Sequence, residues 1–290
     1  MPLDTVTTQL SMSEALLHYS LFVAMFALAA GFVFFLSEKE KILPKYRGTM
    51  TTSAMICGVA AVAYYYLTRG YSPNDPFPTD VRYVDWTVTT PLLLLKYPEM
   101  LKVRGFSFAL RLVIADIFMI VTGFIGELYG TTVHGHWQPH DGTYLWGIDA
   151  VGAHYFWGFI STLGYAYIAY VLLFGEGRRL AAMQPPHIRR GIQVMNRYIW
   201  SLWGIYPIVF ILEGVSAHNT DLSLNGWQIA SAVGDVINKV GFGLTAYFAV
   251  KAMSGDSQYS EERLPTSTDT VAPAPPAGED ARSSTPLSRI

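Results

Sequence analysis

Lys239 and Asp235 are four residues apart in the run Gly234-Asp235-Val236-Ile237-Asn238-Lys239-Val240-Gly241-Phe242-Gly243, inside an otherwise apolar stretch from Trp227 to Met253. An amine in the middle of a membrane-length apolar segment is costly and marks function by default. On a helix the two residues stack on one face about one turn apart. They can form a plain buried ion pair, or a Schiff-base lysine with its carboxylate counterion.

A second row of chemistry stands in Val81-Arg82-Tyr83-Val84-Asp85-Trp86-Thr87-Val88-Thr89-Thr90-Pro91, followed by four leucines and Lys96. With Asp85 at zero and about 100° per residue, Thr89 falls near 40°, Lys96 near 20° and Arg82 near 60°. These four share one face, while Trp86 and Thr90 point elsewhere. Lys96 lies roughly 16 Å along the axis from Asp85. Read plainly, Arg82 and Asp85 are one ion pair and Lys96 snorkels to headgroups. Read with Lys239 and Asp235, the row is a graded series of proton-capable groups. Two acids and an amine near one depth make a charged centre too costly to keep without a use.

The elements that must position these residues follow from composition. Of 290 residues 51% are hydrophobic and only 14% charged, with mean hydropathy +0.27. Soluble domains carry about 25% charged residues, so the chain reads as an integral membrane protein. A net charge of −2 gives no nucleic-acid signal. Cys57, the single cysteine, excludes a disulfide framework and reads as a packing residue. The N-terminus lacks a basic segment and cleavage site, so the first span is expected to be retained. His134, His136 and His140 have irregular loop spacing, and no metal site is expected from them.

A bilayer crossing needs about 20 apolar residues. Seven such runs occur, at about 13–37, 48–68, 81–101, 107–129, 148–174, 193–214 and 227–253. Each must be helical, because lipid tolerates no unsatisfied backbone. The predicted fold class is all-α, a seven-transmembrane-helix bundle spanning 13–253. Residues 1–12 form an outer segment. Residues 254–290, rich in Ser, Thr, Pro and Ala, read as a disordered cytoplasmic tail. Lys39, Lys41, Lys45, Arg47, Lys102, Arg104, Arg178, Arg179, Arg189 and Arg190 fall in loops on one side. Residues 1–12, 130–147 and 215–226 carry no Lys or Arg. The positive-inside rule then puts the N-terminus outside and the C-terminus in the cytoplasm, in a multi-pass plasma-membrane protein.

The third and seventh spans, with Trp203-Gly204-Ile205-Tyr206-Pro207 in the sixth, resemble the microbial (type 1) rhodopsins over all seven spans. The resemblance implies all-trans retinal joined to Lys239 as a protonated Schiff base. Asp85 would be primary counterion and proton acceptor, and Asp235 the second counterion. Arg82 would be the outer gate, and Thr89 a hydrogen-bond partner of Asp85. Trp86, Leu93, Met119, Trp203, Tyr206 and Phe210 would wall the polyene. Thr90 would pair with Asp116 near the ring end. Pro207 removes a backbone hydrogen bond and favours a kink. The implied partners are the lipid bilayer, protons and further copies of the chain in a homo-oligomer.

Asp85, Thr89 and Lys96 are the sorting positions. An acid at 85 separates the chain from chloride pumps, and all three residues differ from the Asn-Asp-Gln of sodium pumps. The reading is a light-driven outward proton pump, a transporter rather than an enzyme. A sensory photoreceptor with a slow cycle is the alternative, and a retinal-free scaffold the third. Lys96 resembles the lysine-donor subgroup of bacterial proteorhodopsin-like pumps, where most pumps carry a carboxylic acid. Burial favours a neutral amine, which could take a proton from the cytoplasm and pass it on, with Ser53 as neighbour. Two departures stand out. Ala63 occupies the position where many bacterial pumps carry a histidine beside the acceptor. Trp227 and Gln228 stand where archaeal pumps carry release glutamates, leaving Glu213 and Glu127 as substitutes or as solvated helix ends. Gly158 resembles glycines that open a window for a carotenoid antenna, although close helix packing is the preferred reading.

Overall fold

The structure is a computed structural model that describes residues 10–103, 105–219 and 222–262, with side-chain surroundings to Met253 apart from Leu145. Residues 1–9, Arg104 and 263–290, which the sequence reading assigned to the outer segment, a cytoplasmic loop and the tail, lie outside the described residues. The functional residues all belong to the compact unit that ends at Ser254.

Seven spans are built from ten helices. They are α1 (Met12–Glu38), α2 (Arg47–Gly70), α3 (Thr79–Leu101), α4 (Ser107–Glu127), α5 (Ala150–Leu173), the short α6 (Glu176–Ala182), α7 (Pro186–Ser201), α8 (Ile205–Ser216), α9 (Asn225–Val236) and α10 (Phe242–Glu262). Local chemistry sets the starts. Ser11 Oγ accepts from Glu14 N at 3.3 Å while the Glu14 carboxylate accepts from Ser11 N at 2.8 Å, a reciprocal cap on α1. Asp149 caps α5 by accepting from Gly152 N at 2.7 Å. Sequential helices pack side by side, α5 meets α8, α8 meets α9, and α9 closes the ring on α1.

The bundle is apolar on its outer face, and its apolar core encloses a set of buried charged residues. Tyr19, Phe26, Phe118, Phe159 and Phe248 face outward, as lipid contact requires. Arg82, Asp85, Lys96, Asp116, Asp235 and Lys239 are each at most 4% exposed. Five spans are apolar enough by composition to cross a bilayer; α3 and α9–α10, which carry the charged residues, are not among them.

Four local features depart from the sequence reading. The sixth span breaks at 202–204 rather than at Pro207. The proline ring crowds the carbonyl four residues earlier, so the helix opens one turn before it. Tyr165 OH donates to the Ile199 and Trp200 carbonyls at 3.3 and 2.9 Å, serving groups near the break. The seventh span contains a π-turn, Ile237–Gly241, around Lys239. Past Met253 α10 continues helical to Glu262, since no proline precedes Pro265 and a started helix propagates at one bond per residue. The loop after α4 holds antiparallel β1 (Gly130–Val133) and β2 (His136–Pro139). Their turn places His134 at φ 50° and Gly135 at φ 76°, the left-handed pair that a tight hairpin needs. A smaller pair, β3 (Thr143–Tyr144) and β4 (Ile148–Asp149), follows. The Phe77 N–H donates to the Thr132 carbonyl at 2.7 Å and Leu224 N–H to the Gly135 carbonyl at 2.6 Å, fastening the hairpin to two other loops.

Candidate functional site

The π-turn and α3 bring three charged side chains together at the centre of the bundle. Lys239 Nζ lies 3.0 Å from Asp85 Oδ2 and 3.2 Å from Asp235 Oδ1. The two aspartates are not equivalent. Asp235 accepts from Tyr64 OH at 2.8 Å, Tyr206 OH at 2.5 Å and Trp86 Nε1 at 3.4 Å. Asp85 has fewer partners, the amine and the hydroxyl of Thr89. Ala63 on α2 brings it no imidazole. Thr89 stays beside Asp85, with its hydroxyl next to the carboxylate and also bonded to the backbone. Its hydroxyl donates to the Asp85 backbone carbonyl at 2.9 Å, the bond that a helical threonine makes to the residue four earlier.

Arg82 is buried, donates to Gln228 Oε1 and stands over the Phe77 ring, 5.0 Å from its centroid. It makes no ion pair with Asp85, and its Nε and Nη2 have no partner among the described residues. Two cations therefore face two anions in a low-dielectric interior, which keeps the cluster near neutrality. Trp86 and Thr90, expected off the main face, still point inward. Thr90 Oγ1 donates to Asp116 Oδ2 at 2.8 Å, as the resemblance implied.

A cavity of about 350 Å³ lies against Lys239. Trp86, Thr90 and Leu93 from α3, Met119 from α4, Trp203 from the break, and Tyr206 and Phe210 from α8 all line it. Trp86 and Tyr206 pack edge to face at 4.7 Å. Phe210 is held in a slot. A Cβ on Gly158 would lie 2.4 Å from its ring, and one on Gly126 2.6 Å. Gly158→Ala is therefore expected to cost about 1–3 kcal/mol through overpacking. Thermal unfolding in detergent measures it, and Phe210→Ala in the same chain should remove most of the penalty. An additive double mutant would show that the two residues do not meet.

Lys96 sits apart from the cavity. It is fully buried, 5.3 Å from the Phe242 ring centroid, and its Nζ has no hydrogen-bond partner among the described residues. It does not snorkel. Ser53 is equally buried, but its hydroxyl donates to the Thr49 carbonyl at 2.8 Å.

Sequence reasoning missed several residues here. Tyr64 and Gln228 hold Asp235 and Arg82, and nothing in their spacing announced it. His154 is fully buried on α5, with Nδ1 3.0 Å from the Gly126 carbonyl and Nε2 2.9 Å from the Phe210 carbonyl. It stacks on Phe210 at 3.8 Å and so fixes the slot. Glu213 is not a solvated end but 4% exposed, and it lines the cavity together with the partly exposed Glu127, whose charge acts on it.

A seven-helix membrane bundle with a buried lysine between two aspartates, at the wall of an aromatic cavity, defines a chromophore-type ion-translocating protein. The chain belongs to the family described as bacteriorhodopsin-like protein, whose pattern matches residues 15–253. The green-light absorbing proteorhodopsin of Gamma-proteobacterium EBAC31A08 is 29% identical over 238 residues, 79% of this chain and 84% of that one. Bacteriorhodopsin of Halobacterium salinarum is 30% identical over 236 residues, covering 79% and 76%. Among solved structures, the Exiguobacterium sibiricum rhodopsin is 33% identical with TM-score 0.68, over 82% of this chain and 97% of that one. Xanthorhodopsin, described as a light-driven ion pump with dual chromophore, shares the fold at 24% identity and TM-score 0.70, over 85% and 96%. The protein is accordingly a multi-pass plasma-membrane rhodopsin.

Proposed function

We propose that this protein is a light-driven outward proton pump carrying retinal on Lys239. The observation that supports this most is the buried amine held by two aspartates at the wall of an aromatic cavity. The residues fit the group. A long apolar polyene suits walls of tryptophan, tyrosine, leucine and methionine, and its reactive end needs an amine with a nearby anion. Bound to Nζ as a protonated Schiff base, retinal would supply a light-driven isomerisation that alters the surroundings of the charged nitrogen.

The residues of the chain do the rest. Hydrogen bonds to a carboxylate favour its charged form. Asp235, with three donors, stays an anion. Asp85, with only the amine and the Thr89 hydroxyl beside it, is the acceptor for the Lys239 proton. Arg82, with two unpaired nitrogens, is the gate between Asp85 and the release group, for which Glu127 and Glu213 are the candidates because they line the same cavity. By the positive-inside rule this end, away from the basic loops, is read as the outer one. Lys96 is the donor that returns a proton to the Lys239 nitrogen. Lys96→Ala should slow that return about 100-fold, the scale of a lost proton-transfer group. Flash absorption at the visible band follows it, and an unchanged rate would remove Lys96 from the role.

Illuminated cells supplied with retinal should acidify the medium reversibly, and a protonophore should abolish the signal. A coloured protein without acidification would favour the sensory reading. At Gly158 we adopt packing rather than a carotenoid antenna, since Phe210 takes the space. An excitation band from added carotenoid that feeds retinal fluorescence would reverse that choice. The homo-oligomer, and a cytoplasmic tail after the bundle, belong to the same proposal.

A further inference from the structure

We propose that Glu99 is the carboxyl group that collects a proton at the cytoplasmic mouth and hands it to Lys96. The inference rests on Lys96 as donor. Glu99 follows Lys96 by three residues, about 4.5 Å nearer the end of α3, and the two Cβ atoms of such a pair are about 5–6 Å apart. On the same wheel Glu99 falls near −40°, so it prolongs the stripe of Arg82, Asp85, Thr89 and Lys96 toward the loop that follows.

Its surroundings are unusual for a helix-end glutamate. It is only partly exposed, Oε1 accepts from Thr52 Oγ1 of α2 at 3.0 Å, and Oε2 is buried with no partner among the described residues. Lys96 Nζ, on the same face, is likewise buried and unpartnered. Two buried, unpartnered polar atoms on one helix face call for a functional explanation. The charge of Glu99 acts on both Lys96 and Lys102, and along α3 it lies between the two lysines. The step balances as one proton transfer. The carboxyl O–H of Glu99 breaks, an N–H forms on the neutral Lys96 amine, and the carboxylate left behind takes its next proton from cytoplasmic water.

Glu99→Gln keeps the size of the side chain and an oxygen for Thr52 but cannot carry the proton. It should slow the return of the proton to the Lys239 nitrogen by about tenfold or more. Glu99→Asp should recover most of the rate, and azide, a small weak acid, should restore it in Glu99→Gln. Thr52→Val removes the hydrogen bond and keeps the carboxyl, and should leave the rate near wild type. In the infrared difference spectrum a transient carboxyl band should vanish in Glu99→Gln. In protein without retinal, the ¹⁵N resonance of Lys96 Nζ should move in Glu99→Gln and stay fixed in Glu40→Gln. If Lys96→Ala slows the return while Glu99→Gln leaves rate and carboxyl band unchanged, the relay is wrong and the donor stands. If Lys96→Ala has no effect, the donor reading itself fails. A slow Glu99→Gln that azide does not restore, or an equally slow Thr52→Val, would make Glu99 a structural brace and overturn the proposal.

Discussion

Lys239→Ala should yield a protein that stays colourless with retinal and does not acidify the medium in light. The loss should be complete, because no other buried amine lies at the cavity wall. Lys96 is the one alternative among the buried lysines, and it is absent from the lining. The same substitution should also destabilise the retinal-free chain. Asp85 and Asp235 are 1% and 2% exposed, and removing the amine takes away the ion-pair partner of both, leaving only the charge of Arg82 nearby. Breaking a buried pair in this way costs about 3–5 kcal/mol. Adding Asp85→Asn should return part of that stability and none of the colour, since it removes one stranded charge without restoring an amine. Thermal unfolding of the three apoproteins and visible spectra after retinal addition test both halves. A Lys239→Ala protein that still forms a visible band resistant to hydroxylamine would end the assignment.

Asp85→Asn has the second largest expected effect. The amide is nearly isosteric but cannot accept a proton from a nitrogen 3.0 Å away. Colour should survive, because Lys239 remains and Asp235 still neutralises it at 3.2 Å. Light-driven acidification should fall at least 100-fold, the lower range for a lost proton-transfer group. Asp235→Asn should differ in kind. Tyr64, Tyr206 and Trp86 would lose their anionic acceptor, so the variant should fold less stably while keeping Asp85 as acceptor. If the two variants instead showed reversed phenotypes, with pumping surviving in Asp85→Asn, the roles of the two aspartates would be exchanged.

The periodic features were legible in the sequence. Placing Arg82, Asp85, Thr89 and Lys96 on one face needed only the helical repeat, and all four are buried. Span positions followed from apolar length, because lipid admits little else. Features that depend on partners far along the chain were not legible. The break at 202–204 was displaced because the proline acts on the carbonyl four residues before it. The hairpin at Gly130–Pro139 carried a short-range signal in His134-Gly135 between alternating residues, which the seven-span reading passed over. His154 looked like one more residue of an apolar helix, and only packing shows it against two carbonyls from α4 and α8. Glu213 looked like a helix end beside water until the bundle closed over it.

By itself the sequence determined that this chain spans a membrane seven times, and that a lysine and two aspartates must be buried near one depth. It could do so because hydropathy and helical period are local, and the bilayer leaves few alternatives. Tertiary structure alone decided which aspartate is more richly solvated by the protein, since Tyr64, Tyr206 and Trp86 come from three different helices to reach Asp235. That asymmetry arises from side chains up to 171 positions away, and it turns a symmetric-looking charge cluster into one with a direction.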